Sequence, residues 1–89
     1  MENFKGTKGN WSYSKETGTI RGDGGLLAEL LINGSEDDNG ALMAAAPELL
    51  EALQLTEKAM AEGRNVTYQE WYGVINKARA AIHKALGKE

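Results

Sequence analysis

Asp23-Gly24-Gly25-Leu26-Leu27-Ala28-Glu29-Leu30-Leu31-Ile32-Asn33-Gly34 is the stretch on which the fold turns. Leu, Ala and Glu favour helix by intrinsic propensity. Gly25 to Asn33, however, is a short run held between two glycine-rich turns, and its length favours a strand. A strand places Leu26, Ala28, Leu30 and Ile32 on one face and Leu27, Glu29 and Leu31 on the other. That second face is too apolar to stand in water, so a covering helix or a partner subunit is expected over it.

Upstream, residues 1–25 carry six of the eleven glycines, with Trp11, Tyr13 and Ile20 between them. Glycine punctuation separating aromatic and β-branched residues predicts short strands joined by turns. Trp11 and Tyr13 are two apart and share a strand face, with Ser12 and Ser14 on the other. Glu16-Thr17-Gly18 predicts a turn into Thr19-Ile20-Arg21. Asp23-Gly24 predicts the next turn, because glycine accepts positive φ without a Cβ clash.

Downstream the pattern becomes helical. Ser35, followed by Glu36, Asp37 and Asp38, reads as a capped helix start whose acids suit the positive helix end. This short helix spans 35–46 and meets Pro47, which lacks an N–H and disfavours helical geometry at Ala46. Proline suits the first turn of a helix, so a second helix is predicted over 47–62, with Leu49, Leu50, Leu53 and Met60 on its apolar face and Gly63 at its end. Thr67-Tyr68-Gln69-Glu70 matches a capping box opening a third helix over 67–86. Trp71, Val74, Ile75, Ala78, Ile82, Ala85 and Leu86 form its apolar stripe, Lys77, Arg79, His83 and Lys84 its polar arc, and Gly87 its left-handed cap. The expectation is one α+β domain over 1–89. A small antiparallel sheet of two to three strands within 1–33 is followed by a short helix and an antiparallel helix pair, and that pair is expected to pack on the sheet.

Eighty-nine residues hold one core, and the absence of cysteine removes disulfides, thiolate metal sites and a Cys nucleophile. With one histidine, no metal site and no cofactor are expected. The charge is uneven: residues 26–62 hold eight acidic groups against one lysine, and residues 63–89 hold five basic groups against two acids. A net charge of −3 makes nucleic acid an improbable partner, and the acidic middle reads as a solvated helix face. No apolar run approaches the ~20 residues of a membrane span, and Met1-Glu-Asn-Phe-Lys-Gly6 lacks the basic and apolar blocks of a signal peptide. A cytoplasmic protein is expected.

Asn39-Gly-Ala-Leu-Met-Ala-Ala-Ala-Pro-Glu-Leu-Leu-Glu-Ala-Leu53 resembles the motif N-A-R-L-I-A-A-A-P-E-L-L-E-A-L of a widespread group of short phage and prophage proteins of unassigned role. Those proteins typically open on a Gly-Pro-Trp segment and close on a helix like Lys-Ala-Arg-Ala-Ala-Ile. Gly9-Asn10-Trp11 and Lys77-Ala-Arg-Ala-Ala-Ile82 stand at the corresponding places here. Asn10 replaces the usual proline and Ala41 the usual arginine. The resemblance implies a phage origin and a fold, and no reaction.

Several local patterns have simpler readings than the functional ones they suggest. Arg21-Gly22-Asp23-Gly24-Gly25 has the glycines and cation of an anion loop. It lacks the G-x-G-x-x-G context, and a hairpin turn accounts for it. Glu36, Asp37 and Asp38 lack the alternating spacing of a Ca²⁺ loop. His83 has Arg79 and Gly87 at helical neighbour positions rather than a carboxylate to orient it. Asn10, Asn33 and Asn65 open glycosylation sequons that have no meaning without secretion. No catalytic residue is assigned.

The aromatics are the strongest functional signal. Trp71 reads as core. Trp11, Tyr13, Tyr68 and Tyr72, with the cations Arg21, Lys77 and Arg79, are the candidate binding residues, because exposed rings beside cations make a base-stacking or protein-docking surface. Core-rim packing is the competing explanation for the same rings. The expected function is a small non-enzymatic phage accessory protein that binds and modulates a host protein, such as a defence component. The alternative is an oligomeric sponge that sequesters a small signalling nucleotide. Few large side chains are available for a core, so a homo-oligomer is expected in either case.

Overall fold

The computed structural model describes residues 4–31, 34–63 and 66–88. Three strands, β1 (Ser12–Ser14), β2 (Thr19–Gly22) and β3 (Gly25–Glu29), precede three helices, α1 (Glu36–Ala44), α2 (Ala46–Glu62) and α3 (Tyr68–Ala85). The sheet is antiparallel in the order β1-β2-β3. Gly18 and Gly24 take positive φ in the two turns, at +67° and +96°. Asp23 does not, so the β2–β3 turn is not the doubly left-handed type I′.

Gly25 onward is therefore a strand, as its length indicated, but its alternation is interrupted. Ile20 pairs with Ala28 and Arg21 pairs with Leu26, which leaves Leu27 as the extra residue of a bulge. Leu27 swings to the side of Trp11, and both meet where a Gly22 Cβ would stand. Leu26 is consequently not a core residue; half of its surface is exposed. Ile32 and Asn33, expected to continue the strand, lie outside the described residues, as does the Asn65 sequon position.

The helix boundaries follow local chemistry. Thr67 Oγ1 accepts from the Glu70 amide at 3.1 Å while the Glu70 carboxylate accepts from the Thr67 amide, completing the capping box. At the far end, Gly87 takes φ +74°, its amide donates to the Lys84 carbonyl, and the Lys88 amide donates to the His83 carbonyl. That pairing is a Schellman cap. Ser35 stands at the N-cap of α1 but makes no side-chain cap bond, contrary to expectation. The α1–α2 break falls on the buried Ala45, one residue before the expected Ala46. Pro47 sits in the first turn of α2, where its missing N–H has no intrahelical acceptor to lose.

Two packing expectations fail. The helix pair does not lie on the sheet: α1 sits between them, against β1 and β2 on one side and α2 and α3 on the other. Among the described residues β3 packs on β2 and on no helix. The core also uses smaller side chains than the sequence suggested. Ala44, Ala45, Ala52, Ala59 and Ala81 are buried, and Ile20 is the one large side chain fully buried among the described residues. Leu50, Leu53 and Met60 of α2, Ile75 and Ile82 of α3, and Leu86 at the α3 C-cap are exposed. α2 and α3 run antiparallel, since Lys77 pairs with Glu51 and, seven residues further along α3, Lys84 pairs with the earlier Glu48.

Candidate binding groove

The three helices and the segment leading into β1 border an open-sided groove of about 820 Å³. Ala41, Ala44, Ala52, Ala80 and Ala81 line it, and their small side chains create the space. Trp11 and Tyr13 stand along one wall, and the Glu48, Glu51, Lys77 and Lys84 side chains along the others.

Tyr13 is placed by β1, whose alternation turns it towards the helices together with Ile20. It lies flat on α1 only because Gly40 has no Cβ there; an added methyl would overlap the ring. Its hydroxyl donates to Asp37 Oδ1 at 2.7 Å, and this bond, more than the adjoining negative charge, pushes the phenol pKa up to about 12. Trp11 is half-buried: its indole N–H donates to the Thr7 carbonyl at 3.0 Å, and its ring meets Phe4 at a 6.5 Å centroid distance.

Lys84 joins three parts of the chain. From α3 its ammonium donates to Glu48 Oε1 of α2 at 2.8 Å and to the Trp11 carbonyl at 3.2 Å. Lys77 donates to Glu51 Oε1 at 3.0 Å in a far more exposed pair. The second Glu48 oxygen, Oε2, is buried without a hydrogen-bond partner, and such an orphan acceptor is costly until a donor reaches it. The two lysines and two glutamates balance, so the groove is apolar and aromatic with neutralised charge at its rim.

The residues expected to bind are thus divided. Trp11, Tyr13 and Lys77 come together in the groove. Arg21 faces outwards, opposite Ser12 and Leu26. Tyr68 and Tyr72 form an edge-to-face pair 4.9 Å apart, their hydroxyls 3.2 Å from one another, and share with Arg79 the side of α3 turned away from the groove. The sequence reading missed Glu48, Glu51 and Lys84 as site residues. Their spacing gave no signal, since three residues rise about 4.5 Å on one helix and seven about 10.5 Å on the next, and only the long side chains bridge the difference. Among the described residues no cluster of three His, Cys, Asp or Glu side chains could hold a metal ion.

A family model described as Salmonella phage P22 protein Y8K6 matches residues 1–89. No curated protein and no solved structure matches the chain.

Proposed function

The chain belongs to the Salmonella phage P22 protein Y8K6 family, and from that premise and the groove we propose a small non-enzymatic phage accessory protein that binds and modulates a protein of the infected host, with a defence component as first candidate. The observation that carries this reading is the groove itself: an alanine floor, two aromatic rings and a charge-balanced rim. Such a lining suits a protein segment that buries apolar side chains and makes a few directed hydrogen bonds. The chemistry of the chain agrees with a binding role, having no cysteine and a single exposed histidine, His83. The host cytoplasm is the place of action in this reading, and no described helix is long and apolar enough to cross a membrane.

A nucleotide sponge draws less support from the geometry. Its phosphates would need free cations beside the rings, yet Lys77 and Lys84 are matched by Glu51 and Glu48. Arg21 and Arg79 stand outside the groove.

Both readings meet one experiment. A photo-reactive amino acid replacing the exposed, groove-lining Asn10 is introduced during expression in the host. One host protein is expected to crosslink; Ala80→Trp, which fills the groove from another exposed position, should abolish the product, and Arg21→Ala should leave it intact. A product insensitive to Ala80→Trp, or none, rejects the proposal. Calorimetric titration with mono-, di- and cyclic nucleotides completes the test, since heat that Ala80→Trp removes would favour the sponge.

A further inference from the structure

The side of the α2–α3 pair opposite the groove carries two apolar stripes. On α3, Tyr68, Tyr72, Ile75, Arg79, Ile82 and Leu86 follow one another at alternating steps of four and three residues. On α2, Leu50, Leu53, Glu57 and Met60 do the same. Alternating four-three steps are the spacing of a left-handed helix-packing seam. These residues are exposed, Leu53 and Met60 by about two thirds of their surface (67% and 68%).

The stripes fall on one side of the hairpin. On each helix the stripe is centred a little more than a third of a turn beyond the buried alanines, Ala52 and Ala59 on α2 and Ala81 on α3, counted towards higher residue numbers. Antiparallel helices count in opposite senses around their axes, so the two offsets point the same way. The Lys77–Glu51 and Lys84–Glu48 pairs mark the other side.

We propose that a second copy of this chain covers this face, the two hairpins packing into a four-helix bundle with α2 of each copy over α3 of its partner. The chain as a whole exposes more surface than a compact domain of its mass. A monomeric domain of 9.6 kDa exposes about 5,100 Å², whereas this chain exposes 6664 Å². The excess, about 1,500 Å², is larger than the ~800 Å² each partner contributes to a standard stable interface.

Charge selects the arrangement. Each stripe is interrupted by one charged residue, Glu57 on α2 and Arg79 on α3. Helix α3 over α3 would set two arginines against each other, whereas α2 over α3 sets Glu57 against Arg79. The ion pairs place these two about six residues, or 9 Å, apart along the axis. Helical side chains lean towards their own N-terminus, and in antiparallel helices that lean carries the two charged heads towards each other.

The test is the mass in solution, by sedimentation equilibrium or light scattering. The unmodified chain is expected at twice 9.6 kDa in the micromolar range. Leu53→Asp with Ile82→Asp should return it to a single chain, with helical circular dichroism retained. Where that variant fails to fold, the charge pair decides: Glu57→Arg should weaken association about tenfold at low salt, and adding Arg79→Glu should restore it. Lys77→Ala, on the groove side, should leave the mass unchanged. A chain that remains at 9.6 kDa up to about 100 µM overturns the proposal and leaves this face to a different protein. Failure of Arg79→Glu to rescue Glu57→Arg overturns the α2-over-α3 arrangement.

Discussion

Gly40 and Tyr13 illustrate how much rests on single atoms. Alanine in a helix interior is normally more stable than glycine by about 0.5–1 kcal/mol. Here the added methyl would enter the Tyr13 ring, which cannot move without leaving Asp37. Gly40→Ala is therefore expected to destabilise the chain by about 1–3 kcal/mol in urea denaturation, the reverse of the propensity ranking. Tyr13 also has a pH signature. Its phenol binds the proton more tightly folded, with a pKa of about 12, than unfolded, near 10.0. The resulting stability is complete below pH 10 and is lost as the pH climbs from 10 to 12. Across that window the melting temperature of the native chain should fall more steeply than that of Tyr13→Phe; parallel curves would contradict the hydrogen bond. The sequence supplied Trp11, Tyr13 and Lys77 as candidates. It gave no sign that Gly40 faces Tyr13, because the two are brought together by packing α1 on β1.

Elements ended where local chemistry said they would. The capping box of α3 is the clearest case, and Thr67→Ala should cost about 1 kcal/mol of stability by chemical denaturation, with Thr67→Ser close to neutral. A loss well under half of that would mean the first turn of α3 is held by something other than Thr67. The sheet was legible in its turns and less so in its faces. A period-two reading assumes every residue has a partner, and the bulge at Leu27 violates that assumption between Ile20 and Arg21. Leu26 is left outside as a result. The α2 and α3 assignments had the right lengths, but on α2 Leu50, Leu53 and Met60 are exposed. On α3, Trp71, Val74, Ala78 and Ala85 turn inwards while Ile75, Ile82 and Leu86 do not. Both helices are apolar around more than half their circumference, and hydropathy ranks leucine above alanine regardless of which side faces another backbone.

The whole molecule is extended, 47 × 26 × 17 Å, with a radius of gyration of 15.1 Å where about 12 Å is usual for its length. Its sheet and helix pair communicate through α1 and through the bond from Lys84 to the Trp11 carbonyl. So thin a body has little interior, which is why alanines dominate its buried positions. If the exposed α2–α3 face is covered by a second copy, stability becomes a function of concentration. The melting temperature should rise by several degrees between about 1 and 100 µM chain, and this rise should vanish in Leu53→Asp with Ile82→Asp. A concentration-independent transition in the native chain would speak for a self-sufficient monomer.

The sequence by itself determined the α+β order, the turns at Gly18 and Gly24, the capped ends of α3 and the break before Pro47, because each is decided by a few neighbouring residues. The tertiary structure alone decided which helix faces turn inwards and where the groove lies. Those outcomes depend on how closely backbones far apart in the chain approach one another. Lys84 meets the Trp11 carbonyl across 73 residues, and no local preference encodes that contact.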